Sequence, residues 1–277
     1  MIRIDAHVHV WVPENEHYPF SPKRSKADLF EGSAEVLLNV MERNNVSHAV
    51  LVQPGIYGSD NSYLMDSFDK YPGKFAAICR VDQSSKSAPA DLEFWVKKRG
   101  AQGIRMVLGQ YTPETWNHGK SEFPLWEKIR ELGIAVGYLI VPGQASMVED
   151  MLKQFPEVPV ILDHLGKPVK EESPEYPSFQ NILRLAAYPK VYTKLSALSF
   201  HSKEKYPYKD MLVCAEKAIR AFSPQRVMWA TDFCATVGAH NYHTEIELLE
   251  SHMPFLSDDD REWIYAKTAK KLFTFDK

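Results

Sequence analysis

Apolar residues recur along the chain with two alternating periods. Short runs rich in Val, Ile and Leu stand at 3–10, 47–54, 75–82, 103–108, 134–140, 159–166, 191–198 and 227–234. From the second onward they begin about 30 residues apart, the length of a βαβ unit. Between them the apolar positions fall at helical spacing. Met211, Leu212, Ala215, Ile219 and Phe222 form one stripe. Leu125, Trp126, Ile129 and Leu132 form another, with Gly133 where a left-handed helix cap belongs. A last helix is expected over 258–273, opened by an Asp run suited to the positive end of the helix dipole. Strands alternating with helices predict a parallel sheet, and eight repeats predict its closure into a (β/α)8 TIM barrel. The chain has 277 residues, about the ~250 that one such barrel needs, and no linker divides it. A single α/β domain over 1–277 is expected.

Two connections stand out by length. Residues 11–30 carry Trp11, Tyr18, Phe20, Lys23 and Arg24 without a clear period, as a binding loop does. The plain alternative is a surface loop packed on its neighbours. Residues 167–177 hold three prolines and several Glu.

The polar positions within the strands carry the candidate chemistry. In the first strand Ile4, Ala6, Val8 and Val10 share one face, and Arg3, Asp5, His7 and His9 share the other. The apolar set suits an outer helix layer, so the polar set is expected to point into the barrel. His7 and His9 then sit near its C-terminal mouth, where barrel active sites lie. Two imidazoles two residues apart can share one ion or one substrate group; the structural alternative is a pair of hydrogen-bonded interior histidines. Asp232 lies at the end of the eighth run, in phase with Met228 and Ala230. Strand eight adjoins strand one in a barrel, so this carboxylate is expected beside His7 and His9. It can ligate a metal or take a proton from water, or merely cap a following helix. His164 ends the sixth run in phase with Val160 and Leu162, and Asp163 is expected to point away as a structural acceptor. Arg105 points inward with Gly103 and Val107, a costly placement unless paired. Asp5 is one expected partner, and an anionic or polyhydroxyl substrate is the other. Arg80 and Asp82 on the third strand are expected to pair with neighbours. Lys194 and Ser196 share a face of the seventh strand and are further candidates for the site. Trp116 and His118 after strand four, and His240 and His243 after strand eight, are weaker loop candidates.

Composition narrows the picture without redirecting it. Hydrophobic residues make up 44% and charged residues 25%, and the formal net charge is −3. No basic excess or polybasic run points to nucleic acid or a membrane surface. No apolar run approaches the ~20 residues of a spanning helix. Cys79, Cys214 and Cys234 are scattered and odd in number, which fits a reducing, cytoplasmic setting rather than a disulfide framework. The oligomeric state is left open.

His7-x-His9, His164 and Asp232 together resemble the amidohydrolase superfamily. Asp163-His164-Leu165-Gly166-Lys167-Pro168 is more specific: it resembles the amidohydrolase 2 branch of sugar lactonases and 2-pyrone-4,6-dicarboxylate lactonase. Gly103-Ile104-Arg105, Thr193-Lys194-Leu195-Ser196 and residues 264–273 are similar to that branch too. The resemblance implies hydrolysis of a lactone, of a sugar acid or a dicarboxylate, to a hydroxy acid. It implies Asp232 as general base on a water, with His7, His9 and His164 holding one Zn2+ with it or donating hydrogen bonds to the developing oxyanion. Arg105, Lys194, Ser196 and Trp116 are then the candidate substrate contacts. Some members of this branch work without metal, so metal-independent catalysis is the alternative.

The chain also departs from the family. Val136-Gly137-Tyr138-Leu139 stands where the usual strand-five histidine would be, and Arg105 replaces a metal-bridging residue on strand four; both speak against two metals. Ala230-Thr231-Asp232-Phe233-Cys234 replaces the usual Gly-Ser-Asp-Trp-Pro, and Thr268-Ala269 the usual Asn-Ala, so the substrate does not carry over. Two rivals follow: a zinc-dependent decarboxylase of aromatic acids from the same branch, and a non-catalytic barrel that binds sugar acids.

Overall fold

A computed structural model describes residues 1–22, 31–109 and 111–275. Its eight strands are β1 (Ile4–Val8), β2 (His48–Val52), β3 (Phe75–Cys79), β4 (Gly103–Val107), β5 (Ala135–Leu139), β6 (Val160–Leu162), β7 (Val191–Leu195) and β8 (Val227–Trp229). Each falls inside one of the eight expected runs. They pair in parallel in sequence order. Between β8 and β1 the ring is drawn together by a bridge from Val8 to Phe233 and by Asp232 N donating to the His7 carbonyl at 2.9 Å. The architecture is a TIM barrel.

The helices follow the apolar stripes. Lys209–Phe222 buries Met211, Ala215, Ile219 and Phe222. Phe123–Leu132 ends at Gly133 in the left-handed conformation, φ 65°, which costs glycine least. The last helix opens at Asp258, where Ser257 and Asp260 cap each other, passes through a π turn at Trp263–Lys267 and ends at Leu272. Beyond it the chain crosses the N-terminal ends of the strands. Phe275 stacks near His48, and Gln102 donates to the Thr274 carbonyl at 2.8 Å. That end of the barrel is closed, so the C-terminal mouth is the open one.

The barrel interior is apolar below the mouth. Ile4, Ala6, Val50, Val52, Ala76, Ile78, Ile161, Met228 and Ala230 form one cluster. Alternate residues of the same strands, such as Leu51, Ala77 and Leu162, pack with helix residues such as Leu37, Met65 and Ile129. This corrects the expected facing of β1. Ile4 and Ala6 line the interior, and Asp5 turns outward to Thr231 and Tyr242. The pairing of β1 with β2 shifts register between Asp5 and Val8. A bulge of this kind re-aims the side chains beyond it, and it returns His7 and His9 to the interior. Val8 and Val10 remain in the outer layer, as expected.

Candidate active site

Four side chains converge at the mouth. His9 Nε2 lies 3.3 Å from Asp232 Oδ1, His7 Nε2 lies 3.5 Å from it and His164 Nε2 3.9 Å. The two Nε2 atoms of His7 and His9 are 3.3 Å apart. All four residues are buried. Asp232 sits at φ 60° and His164 at φ 54°, with Leu165 beside it at φ 53°. A non-glycine residue held in this region costs of order 1–3 kcal/mol, and such residues gather at functional sites. Asp232 caps no helix: the next begins at Tyr242.

The left-handed pair at 164 and 165 changes the reading of β6. Val160 and Leu162 face the helices, so simple alternation would carry His164 outward with them. The turn brings it inward, where its Nδ1 meets Ser196 Oγ at 2.8 Å. Asp163, expected to point away, follows Ile161 into the interior and is completely buried. Its Oδ2 accepts from Arg105 Nε at 3.0 Å, and its Oδ1 lies 3.0 Å from Lys194 Nζ and 3.2 Å from His7 Nδ1. Arg105 therefore pairs with Asp163 and not with Asp5, because Asp5 has turned out of the barrel. Lys194, expected as a substrate contact, is completely buried and also reaches His7 Nδ1 at 3.0 Å.

The electrostatics follow from these pairings. Burial alone pushes the Asp232 carboxyl up, but His164, His9 and His7 outweigh it and hold it below its ordinary range. Burial also opposes ionisation of Asp163, yet Lys194, His7 and Arg105 keep it well below the usual carboxylate range. Burial, then the Lys194 charge, holds the His7 imidazole well below its ordinary value. Burial likewise lowers His164 and Lys194. The site thus holds two ionised carboxylates among basic side chains, with burial biasing the imidazoles of His7 and His164 toward their neutral forms.

Two buried oxygens in this cluster accept no aligned hydrogen bond: Asp232 Oδ1 and Asp163 Oδ1. Both have nitrogens within 4 Å, at ion-pair distance but out of hydrogen-bond alignment. An orphaned carboxylate oxygen facing imidazole Nε2 atoms fits a cation site. Tetrahedral zinc bound at about 2.0–2.2 Å separates its ligand atoms by roughly 3.3–3.6 Å. The spacings among His7, His9 and Asp232 match, and these three make a compact donor set. His164, at 3.9 Å from Asp232, stands slightly wider.

At the ends of β3 and β4 a cavity of about 850 Å³ opens, lined by Ser59, Arg80, Asp82, Gln83 and Gly109 among others. Arg80 does not pair as expected: its guanidinium makes no ion pair or hydrogen bond with the described residues, while Asp82 accepts from Ser84. Burial and the nearby Arg105 charge depress the Arg80 pKa. Among the described residues this partly buried arginine on the cavity wall has no counter-charge.

His201 is a further residue that sequence reasoning passed over. It is buried near His164 and Asp232, and burial lowers it to about 4. It lies on the short helix Leu198–His201, where no strand phase marks it. Trp116 is buried against Tyr111 and lines a separate surface cavity with His118 and Asp150. Among the described residues no hydrogen bond or ring contact joins it to the cluster. His118, His240 and His243 are exposed. Trp11 is buried, and Tyr18 bonds Asp66 at 2.9 Å, so this part of the 11–30 connection packs on its neighbours. Lys23 and Arg24 lie outside the described residues.

Comparison with known proteins agrees with this arrangement. The amidohydrolase family model matches residues 4–275. The 4-sulfomuconolactone hydrolase of Hydrogenophaga intermedia is 27% identical over 235 residues, covering 83% of this chain and 73% of its own. The L-fucono-1,5-lactonase of Burkholderia ambifaria is 26% identical over 235 residues, covering 83% and 80%. A solved Pseudomonas putida structure, a candidate 2-pyrone-4,6-dicarboxylic acid hydrolase, superposes with TM-score 0.80 at 24% identity, covering 100% of this chain and 98% of that one. The match to the family model spans the barrel from β1 to the last helix, and the chain belongs to the amidohydrolase family.

Proposed function

We propose that this protein hydrolyses a lactone carrying an anionic group to the corresponding hydroxy acid, with Asp232 as the base toward water. The observation that carries the reading is the orphaned, ionised Oδ1 of Asp232 facing three imidazoles at the C-terminal mouth of the barrel. Lactone hydrolysis by the two similar enzymes named above supports the reaction class, and the Arg80 guanidinium on the cavity wall, unpaired among the described residues, supports the anionic substrate.

In this reading Asp232 accepts a proton from water as the water oxygen attacks the lactone carbonyl. The carbonyl oxygen takes up the charge. Collapse of the tetrahedral intermediate breaks the ring C–O bond, and the leaving oxygen recovers the proton from Asp232. His164, with Nδ1 held by Ser196, presents Nε2 to the forming oxyanion. Preorganised donors of this kind contribute about 3–4 kcal/mol each. Arg80 holds the substrate's carboxylate or sulfonate in the adjoining cavity. Arg105 and Lys194 act through Asp163 rather than by touching substrate. His7, His9 and Asp232, with His164 beside them, are the residues that would hold a divalent ion. Such an ion, when bound, polarises a carbonyl and lowers the pKa of water. The buried cysteines with no disulfide support a reducing, cytoplasmic setting. Among the described residues no helix is long and apolar enough to cross a membrane.

The test is acid release from a panel of neutral, carboxylated and sulfonated lactones. Asp232→Asn is expected to lower kcat by about 10²–10⁴-fold with the melting temperature little changed. A near wild-type rate would sink the assignment of the base. Arg80→Met is expected to raise KM for anionic lactones about tenfold or more and to leave neutral ones unaffected. Equal effects on both would remove the anion subsite.

A further inference from the structure

The short helix Leu198–His201 is turned against its own hydrophobicity. It buries His201, which is 6% exposed, and leaves Phe200 beside it 62% exposed. Water favours the reverse, with the phenyl inside and the imidazole outside. A buried imidazole gives up its hydration. Among the described residues one hydrogen bond of the ring offsets that loss, to the carbonyl of Pro168. The backbone around the helix is also held away from its preferences. Ala197 before the helix, Tyr208 after it and Tyr176 in the connection after β6 take φ of 56°, 57° and 49°. Non-glycine residues keep such angles only where the surrounding structure over-determines them.

The structure that does so here centres on Asp210, a buried carboxylate outside the cluster at the mouth. Its Oδ2 accepts from Ser173 Oγ at 2.6 Å, from Tyr176 Oη at 2.8 Å and from Lys203 N at 3.0 Å. Its Oδ1 accepts from Ser202 Oγ. Ser173 and Tyr176 belong to the connection after β6, whereas Ser202 and Lys203 directly follow His201. Tyr176 Oη also lies 3.2 Å from the His201 carbonyl. One carboxylate thus ties two connections together and fixes the backbone on which His201 stands. Hydrogen bonds to a charged acceptor are the strong ones, so they can hold an orientation that hydrophobicity opposes.

The orientation has a destination. In a ring of eight strands paired in sequence order, β7 stands opposite β3. His201, just beyond β7, is therefore across the mouth from Arg80 and the cavity at the end of β3. It is close enough to His164, Lys167 and Asp232 to feel their charges. A lactone with its anionic group at Arg80 and its carbonyl at Asp232 extends toward His201.

We propose that His201 is a substrate contact, hydrogen-bonding a polar group of the bound lactone on the side of the mouth opposite Arg80, and that Asp210 is the positioning residue that turns it inward. The contact rests on the lactone reading; the burial of His201 for function rather than for stability does not.

The first measurement, on the full chain, needs no substrate. An imidazole buried for function can be replaced by an apolar side chain without loss of stability. His201→Leu is expected to melt above the wild type or within about 3 °C of it. A larger fall would show that the imidazole holds the fold together and would overturn the proposal. The second measurement is kcat/KM on a lactone that the wild type turns over. His201→Leu is expected to lower it about tenfold, and His201→Gln, which keeps a hydrogen-bonding side chain, to recover part of the loss. A wild-type value in His201→Leu would overturn the contact. The third combines variants. Asp210→Asn is expected to lower kcat/KM on its own but to add little in the His201→Leu background. Tyr176→Phe, which removes one of the four bonds, replaces it should Asp210→Asn fail to fold. Losses that multiply independently would overturn the positioning role. A wild type that turns over no lactone would remove the lactone reading, and the melting of His201→Leu would then decide this one.

Discussion

Two groups of buried carboxylates lie on opposite sides of the β1–β8 seam, and they behave in opposite ways. Inside the barrel, Asp163 and Asp232 face cations and imidazoles and stay ionised. Outside it, Asp5 accepts from Thr231 Oγ1 at 2.5 Å and from Tyr242 Oη at 2.7 Å, with no cation against it among the described residues, and burial raises it to about 6. Glu245, on the helix Tyr242–Ser251, is raised to about 8 by burial and then by the charges of Asp5 and Asp232. Burial is similar on both sides, so burial alone does not decide the charge state. What decides it is whether the fold supplies positive partners. The interior group keeps charge available for chemistry, while in the outer group burial raises both carboxyls and Asp5 ties β1 to β8 through Thr231.

The comparison is broken most severely by removing a carboxylate from the interior. Asp163→Asn leaves Arg105 and Lys194 buried without their shared counter-charge. A loss of about 3–5 kcal/mol is expected, the usual result of deleting one member of a buried ion pair. Urea denaturation checks it, and a loss below about 1 kcal/mol would mean that the cluster is not held by its ion pairs.

A smaller effect sharpens the outer side. The folded-state pKa of Glu245 lies near 8, above its ordinary 4.5, so the native state binds a proton that the unfolded state has released. Stability from this group is therefore full below about pH 4.5 and falls as pH rises toward 8, by at most about 1.4 kcal/mol per unit. Glu245→Gln is expected to flatten the dependence over that window and to be the more stable protein at pH 8. Denaturation of both proteins at pH 5 and pH 8 checks it, and parallel curves would show that Glu245 is ionised in the folded state.

Much of this was legible in the chain. The eight runs predicted eight strands, because each run carries its own β-branched content and spacing. His7, His9, His164 and Asp232 were legible because each stands at a strand end, and strand ends of a barrel share one mouth. Asp5 and Asp163 were misread by the same rule, strict alternation along a strand. A register shift in β1 and left-handed residues after β6 each interrupted the alternation. Neither interruption has a clear local mark: histidine visits positive φ more often than most residues, but Leu165 beside it does not, and nothing in the sequence announces two such residues in a row. Arg80 was expected to pair because a strand arginine ordinarily finds a carboxylate, and its lack of a partner among the described residues depends on what the loops place around it.

The sequence by itself determined the order, number and kind of the elements, the family, and which histidines and which aspartate meet at the mouth. Those follow from periodicity and from short motifs, which are properties of neighbouring residues. Only the tertiary structure decided that Asp163, rather than Asp5, balances Arg105 and Lys194, that Lys194 touches His7, and that Asp232 Oδ1 lies buried among three imidazoles without an aligned hydrogen bond. These are contacts between strands separated by up to 187 residues in the chain. Their geometry turns on a bulge and a turn of one or two residues, where small local energies are outweighed by the packing of the closed barrel.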